Sequence, residues 1–355
     1  WEKALTAIPL VVVAVLPLIF QHNAYWLGLT AFGFCYAITF LTFTIVTGEG
    51  GMLWLSQIIF AGVGALAAGQ FVQSWHVPVL LAIVFGGVIA AVVGAIIGLL
   101  TIRLGDLYVG LVTLTFGLLV ETLIFTRPRF LHGGIGVFLN RPGFANDDLP
   151  FAYLALGVFL VFALLTWNLR RSTSGLALRA VRDSEPGSRT LGLSVLQVKV
   201  IVGAIAAFVA AVGGGFLALD QRAAQPNSYA TFLGLVWLAV VVTLGIRSII
   251  AAVLAGLAFT LLPGVFQTYV PARWGAVPTI LFGLGAIAVA VHPEGVVLQY
   301  GRQLRQLLAR VGSRRAPPPV RGMSSEPGSS EPGTRADGER RAPVGEVAAE
   351  SKSVP

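Results

Sequence analysis

The chain has 355 residues, of which 56% are hydrophobic and 11% charged, and it carries a formal net charge of +8. Soluble domains hold about 25% charged residues, so this composition excludes a soluble globular protein and describes an all-α, polytopic membrane protein. Much of the cationic surplus lies in one central stretch and in the C-terminal tail, where it speaks for membrane topology and attraction to the lipid bilayer surface, not for nucleic acid.

A spanning helix needs about 20 apolar residues. Candidate spans fall at 4–20, 27–47, 53–73, 78–101, 107–126, 151–169, 198–219, 231–246, 248–268 and 275–292. The chain begins at Trp1, and Leu5 to Phe20 leads to no small-residue cleavage site, so it reads as a first span and not a signal peptide. The second span is punctuated by Thr39, Thr42, Thr44 and Thr47 and ends at Gly48-Glu49-Gly50-Gly51. That glycine run either breaks a helix inside the membrane, exposing backbone groups to a cavity, or makes a tight turn at its edge. Ser56 and Gln57 open the third span, and Thr113 and Thr115 lie in the fifth. A span Thr commonly bonds the carbonyl of its own preceding turn; lining a polar pathway is the functional reading of Thr39, Thr42, Ser56, Gln57, Thr113 and Thr115. Glu121 is a carboxylate within the fifth span and needs a partner or water. Arg127 and Arg129 are the expected partners, which makes an ion pair the first reading and a substrate contact the second. Cys35, the single cysteine, sits in an apolar run and is expected to pack as a small hydrophobe. The four histidines lack metal-ligand spacing, and His292 marks a membrane edge.

Arg170 to Lys199 interrupts the apolar sequence. Arg170, Arg171, Arg179, Arg182, Arg189 and Lys199 face only Asp183 and Glu185. An Arg or Asp at the bilayer centre costs roughly 2.5–3.5 kcal/mol, so the stretch belongs in water, on the cytoplasmic side by its positive charge. Six spans before it and four after it then place both termini inside and Pro128 to Pro150 outside; eight spans preserve the same parity. The weakest division is Gly245-Ile246-Arg247-Ser248, between the eighth and ninth spans. Three regions follow: a transmembrane domain at 1–295, an amphipathic segment at 296–313 that reads either as a helix on the inner leaflet or as a frayed cytosolic extension, and a cytoplasmic tail at 314–355. In the tail Ser-Ser-Glu-Pro-Gly occurs at 324–328 and again at 329–333, and too little apolar surface is present to fold.

There is no G-x-x-x-x-G-K-[ST] phosphate loop, no Ser-His-Asp grouping and no His-Glu-x-x-His. No enzyme activity is expected, and no cofactor is expected in this chain.

Gly175, Ala177, Arg179, Ala180, Arg182, Asp183, Glu185, Leu191 and Gly192 spell G-x-A-x-R-A-x-R-D-x-E-x5-L-G. The segment resembles the cytoplasmic coupling loop of permease subunits of branched-chain amino acid ABC importers, the LivM type in particular, within the broader branched-chain amino acid and urea permease family. Further similarities follow in order: Gly48 to Gln57 with Phe60, Gly62 and Gly64; Leu107-Tyr108-x-Gly110-Leu111 with Thr113, Phe116 and Gly117; His132-Gly133-Gly134; Val241 to Ser248; and Pro293-x-Gly295. The sequence departs from the family pattern at Pro186-Gly187 after Glu185, at His132, and at Leu118, where the family's Glu is absent; Glu121 comes one turn later. The resemblance implies a permease working with ABC ATPase subunits that use ATP, a second permease subunit and an extracytoplasmic solute-binding protein, in a bacterial inner or cytoplasmic membrane. It implies an ATPase-coupling role for Gly175, Arg179, Arg182, Asp183, Glu185 and Gly192, with Ser184 capping a second short helix. Alternatives are a urea or short-chain amide permease, an ion-coupled secondary transporter, for which paired midplane carboxylates are lacking, and a membrane-embedded enzyme, for which a catalytic cluster is lacking.

Overall fold

The computed structural model describes residues 12–102, 104–131 and 136–291. Within them the chain is helical, with one two-stranded ribbon. The apolar helices are α1 (Ala24–Phe43), α2 (Gln57–Trp75), α3 (Val79–Leu100), α4 (Asp106–Val120), α5 (Asp148–Arg171), α8 (Val195–Asp220), α9 (Leu233–Leu244), α10 (Ile249–Tyr269) and α11 (Val277–Val291). Two short helices, α6 (Thr173–Asp183) and α7 (Glu185–Thr190), fill the arginine-rich stretch. α1 and α4 continue without a break into wider π-helical turns, Thr44–Glu49 and Glu121–Phe125.

Serines start the helices that leave the arginine-rich end. Ser172, Ser184, Ser194 and Ser248 each accept a backbone N–H from the first turn of the helix that follows, satisfying a donor that has no partner inside the helix. α1 starts the same way at the other end, where Asn23 Oδ1 accepts from Tyr25 and Trp26.

Helices α1 and α8 form the centre. The most apolar windows of their spans are 89% and 72% buried, against 33–56% for the other spanning helices, so the rest of the bundle is arranged around this pair. Small residues set the distance. A Cβ on Gly214 of α8 would clash with the Ala61 carbonyl of α2, and one on Gly213 would lie 2.5 Å from Thr39 Oγ1 of α1. Without a hydrophobic force between helices in lipid, such close contact is what holds them together. Cys35 is fully buried in this centre.

Seven helices among the described residues are long and apolar enough to cross a membrane, and Leu233–Leu244 and Val277–Ile287 form shorter apolar stretches. This corrects the expected span at 231–246. α9 has 12 residues, about 18 Å at 1.5 Å per residue, against a hydrocarbon core of about 30 Å. α9 is preceded by irregular chain, Gln221 to Phe232, buried at Ala223, Ala224, Pro226, Tyr229 and Thr231 and exposed between them, which holds strand β2 (Ala223–Ala224) and a short 3-10 turn, Pro226–Tyr229. β2 pairs antiparallel with β1 (Val137–Phe138), and Tyr229 Oη donates to the Gly214 carbonyl at 3.0 Å. Between α1 and α2 a second irregular run, Gly50 to Ser56, also passes through the interior, with Trp54 and Ser56 fully buried. The glycine run thus ends the helix within the protein, against the arginine-rich stretch, and irregular chain follows it. Of the expected first span only residues 12–19 are described as helix; His132 to Ile135, His292, Pro293, Gly295, the amphipathic segment and the tail lie outside the described residues.

Far from the arginine-rich stretch, Arg141 joins two spans. Its guanidinium pairs with Asp148 at 2.7 Å and Asp220 at 2.9 Å and lies over the Phe151 ring, so the start of α5 and the end of α8 share one buried cation.

The packing makes a direct prediction. Gly214→Ala should destabilise the protein by about 1–3 kcal/mol, the usual cost of overpacking a close-packed site. Gly157→Ala on α5, where nothing lies within 4 Å of the new methyl, should be neutral or stabilise by about 0.5–1 kcal/mol. Thermal unfolding of both variants in lipid nanodiscs checks the contrast; equal melting temperatures would show that the α2–α8 contact is not limiting.

Candidate functional site

The arginine-rich stretch is a helical elbow latched onto the end of α1. α6 is amphipathic, burying Gly175, Leu178 and Val181. Gly175 lies so close to the Leu169 carbonyl that no side chain fits there. The departure at Pro186-Gly187 is accommodated: Pro186 occupies the first turn of α7, where its missing N–H costs nothing, and Ser184 accepts the Gly187 N–H at 3.2 Å.

Glu49 is the anchor, and sequence reasoning gave it no role. Its side chain is 8% exposed and receives Arg170 Nε at 2.8 Å and Arg179 Nε at 3.6 Å. Arg182 turns inward too, donating to the Gly48 carbonyl at 2.8 Å while its stem covers Gly51. Gly51 has φ +68°, which glycine adopts without strain. Arg170 also donates to the Arg247 carbonyl at 2.7 Å, reaching the turn between α9 and α10. Glu185 pairs with Lys199 of α8. One cluster thus ties together α1, α5, α6, α7, α8 and the α9–α10 turn. The signal was present in the sequence: one carboxylate ending an apolar run, opposite a loop with a large excess of arginine.

Of the expected coupling residues, Gly175 and Arg182 face inward. Asp183 is exposed, and Gly192 takes φ +77° in open space. Arg179 is 44% exposed and Glu185 35%. Leu176 and Leu191 stand 64% and 78% exposed beside them, giving the elbow an apolar outer face with charged flanks. Behind the elbow a cavity of about 630 Å³ is lined by Gly50, Gly51, Gly105, Arg182, Glu185 and Lys199, among others.

A second polar constellation lies in the interior, where α2 and α9 begin side by side. A Cβ on Gly234 of α9 would lie 2.9 Å from Ile58 Cγ2 of α2 and 3.4 Å from the Leu55 carbonyl. α4 runs past both starts. Thr113 Oγ1 accepts the Leu55 N–H at 3.1 Å, and one turn on, a Cβ at Gly117 would lie 2.9 Å from Thr231 Cγ2 and 3.2 Å from Ile59 Cγ1. A further turn on, Glu121 Oε2 accepts the Thr231 N–H at 2.7 Å. This corrects the expected ion pair: Arg127 Nε donates to the Leu123 carbonyl and Arg129 Nε to Gln70 Oε1. Glu121 instead compensates the positive end of a half-length helix.

Ser56, Gln57 and Thr231 are fully buried here. Ser56 Oγ, both amide atoms of Gln57, and Thr231 Oγ1 have no hydrogen-bond partner among the described residues. Thr39 and Thr42 are buried in α1 and donate to the carbonyls of Cys35 and Thr39. Thr39 sits in helix packing, against Gly213 of α8. Thr115 is exposed on α4 and donates to Leu111.

The family described as branched-chain amino acid transport system / permease component matches residues 25–289. The permease protein LivM of the high-affinity branched-chain amino acid transport system of Escherichia coli K12 is 27% identical over 250 residues, covering 62% of this chain and 59% of the relative. Its counterpart from Salmonella typhimurium is 27% identical over 248 residues, covering 62% of this chain and 58% of the relative. The chain thus spans under two thirds of the length of these curated relatives. No solved structure matches the chain. With the family match running from the start of α1 almost to the end of α11, on a helical bundle that carries the elbow and the glycine break, the chain belongs to the branched-chain amino acid transport system permease family.

Proposed function

We propose that this chain is a permease subunit of an ABC importer for branched-chain amino acids, placed in a bacterial cytoplasmic membrane with the arginine-rich elbow inside. ATP is used by separate ATPase subunits, a second permease completes the pathway, and an external solute-binding protein delivers the solute. The observation that carries the reading is the latch at Glu49. An ATPase that moves α6 and α7 moves Arg179 and Arg182, which are fixed to Glu49 and Gly48. The next residues are the irregular run Gly50 to Ser56, which opens α2 at the interior junction. A push at the elbow is thereby delivered to the polar residues most suited to meet a solute. The exposed outer face, with Leu176, Asp183 and Leu191, is the ATPase contact in this scheme. The face of α4 bearing exposed Thr115, Thr122 and Thr126 lines the pathway against the second permease. A urea or amide permease and an ion-coupled transporter are not favoured: both curated relatives are named for branched-chain amino acids.

Latch and docking face are separable by mutation. Glu49→Ala removes the carboxylate that Arg170 and Arg179 share and frees α6 from the end of α1; it should abolish L-leucine uptake by the assembled complex. Arg182→Ala should lower uptake while the ATPase still co-purifies. Asp183→Ala, on the exposed face, should weaken co-purification itself. Wild-type uptake by Glu49→Ala and Arg182→Ala would remove the latch from the mechanism.

Orientation has its own test. On a Cys35→Ala background, Thr190→Cys, exposed at the end of α7, should react with an impermeant thiol reagent only after cells are permeabilised. Asn146→Cys, exposed ahead of α5, should react in intact cells. Labelling of Thr190→Cys from outside would place the elbow in the wrong compartment for any ATPase and end the importer reading.

A further inference from the structure

The interior junction holds more polar capacity than its own packing uses. A buried donor or acceptor left unmade costs free energy, so native proteins pair the great majority of them. Here Ser56 Oγ, Gln57 Oε1 and Gln57 Nε2, at the start of α2, and Thr231 Oγ1, just ahead of α9, are all buried and unpaired among the described residues. Ser56 is the N-cap of α2, yet its side chain makes no capping bond. The positive end of that helix is therefore left without the usual acceptor. Glu121, half-buried on α4, spends Oε2 on the Thr231 N–H. No described cation pairs with this carboxylate, because Arg127 and Arg129 are engaged elsewhere. Thr122, beside it, is exposed on the open face of α4. The junction thus borders the surface that the proposed pathway uses.

The two halves have opposite polarity. The start of α2 offers N–H groups, a hydroxyl and an amide NH₂ to an anion. Glu121, with the Thr231 hydroxyl and the Gln57 carbonyl oxygen, offers acceptors to a cation. Ile58, Ile59 and Leu55 surround them with branched apolar surface.

We propose that this junction is a transient binding site for the zwitterionic head of an α-amino acid, with the carboxylate at Ser56 and Gln57 on the start of α2 and the ammonium at Glu121. The assignment rests on the reading of the chain as an amino-acid permease and adds a selective step within the membrane. A helix start with uncapped N–H groups, such as that of α2, favours an anion such as a substrate carboxylate. The pairing also explains why a carboxylate stands where a neutral acceptor would cap Thr231 equally well.

The test uses the complete complex in proteoliposomes, with radiolabelled L-leucine as probe. Glu121→Gln keeps an oxygen for the Thr231 N–H and removes the charge. It should lower uptake about tenfold or more, the worth of a charged hydrogen bond, with a melting temperature unchanged. Glu121→Asp should restore much of the uptake. Gln57→Met removes the unpaired amide without touching Glu121; it should lower uptake severalfold while leaving the protein as stable or more so. Uptake at the wild-type rate by Glu121→Gln and Gln57→Met overturns the site and makes Glu121 a helix cap only. A Glu121→Gln protein that melts lower and is not rescued by Asp overturns it as well. If the wild-type complex carries urea or acetamide and not L-leucine, the proposed function itself fails, an outcome distinct from the loss of this site.

Discussion

A bilayer interior offers no hydrogen bonds to a peptide group, so chain that leaves the helix there must be enclosed by protein. Two stretches of this chain leave the helix: Gly50 to Ser56, buried or half-buried throughout, and Gln221 to Phe232, of which Ala223, Ala224, Pro226, Tyr229 and Thr231 are buried by the bundle. The Leu55 N–H goes to Thr113 and the Thr231 N–H to Glu121, both on α4. The second stretch closes its backbone through the β1–β2 ribbon and through the 3-10 turn held by Tyr229 on Gly214. An isolated α9 of 12 residues is too short to span; the chain that leads into it is held by Glu121 at the Thr231 N–H.

Enclosure at this depth requires close approach, which explains the small residues. Gly64 meets the backbone of Ala211, Gly214 that of Ala61, and Gly94 lies on Gly203. Trp54, from the first irregular stretch, also lies against Gly203, and a Cβ there would be 2.5 Å from its ring. The glycine that lets α3 approach α8 is thus the one that leaves room for the non-helical chain. Packing and the broken span depend on the same residues, and neither can be altered alone.

The spans were legible because hydropathy needs no partner. Asn23, Ser184, Ser194 and Ser248 are local caps of the kind a sequence shows, and Ser184 was readable even before Pro186, since Pro is at home in a first helical turn. The residues that give the site its geometry were harder, because each depends on chain far away. Arg182 finds Gly48 134 residues back, and Glu121 finds Thr231 110 residues on. By charge alone Arg127 and Arg129 were the natural partners for Glu121; the half-length of α9, invisible to a hydropathy window that runs through 231–246, decides otherwise. Glu49 was hidden by its neighbours: within Gly48-Glu49-Gly50-Gly51 the glycines draw the attention, while the carboxylate binds the elbow.

These two carboxylates divide the work along one short path. Glu49 is held by two guanidiniums, so its position follows theirs, and it stands at the last turn of α1 before the chain breaks. Glu121 carries no described counter-ion and is held by a single backbone N–H at the start of a half-helix. A charge fixed by charged neighbours transmits displacement; one fixed by a single hydrogen bond is easily given a new partner. The run from Gly50 to Gln57 connects the first to the neighbourhood of the second. A movement of the elbow therefore reaches the junction through covalent chain, with Gly51, covered by the Arg182 stem, as the point where that chain turns.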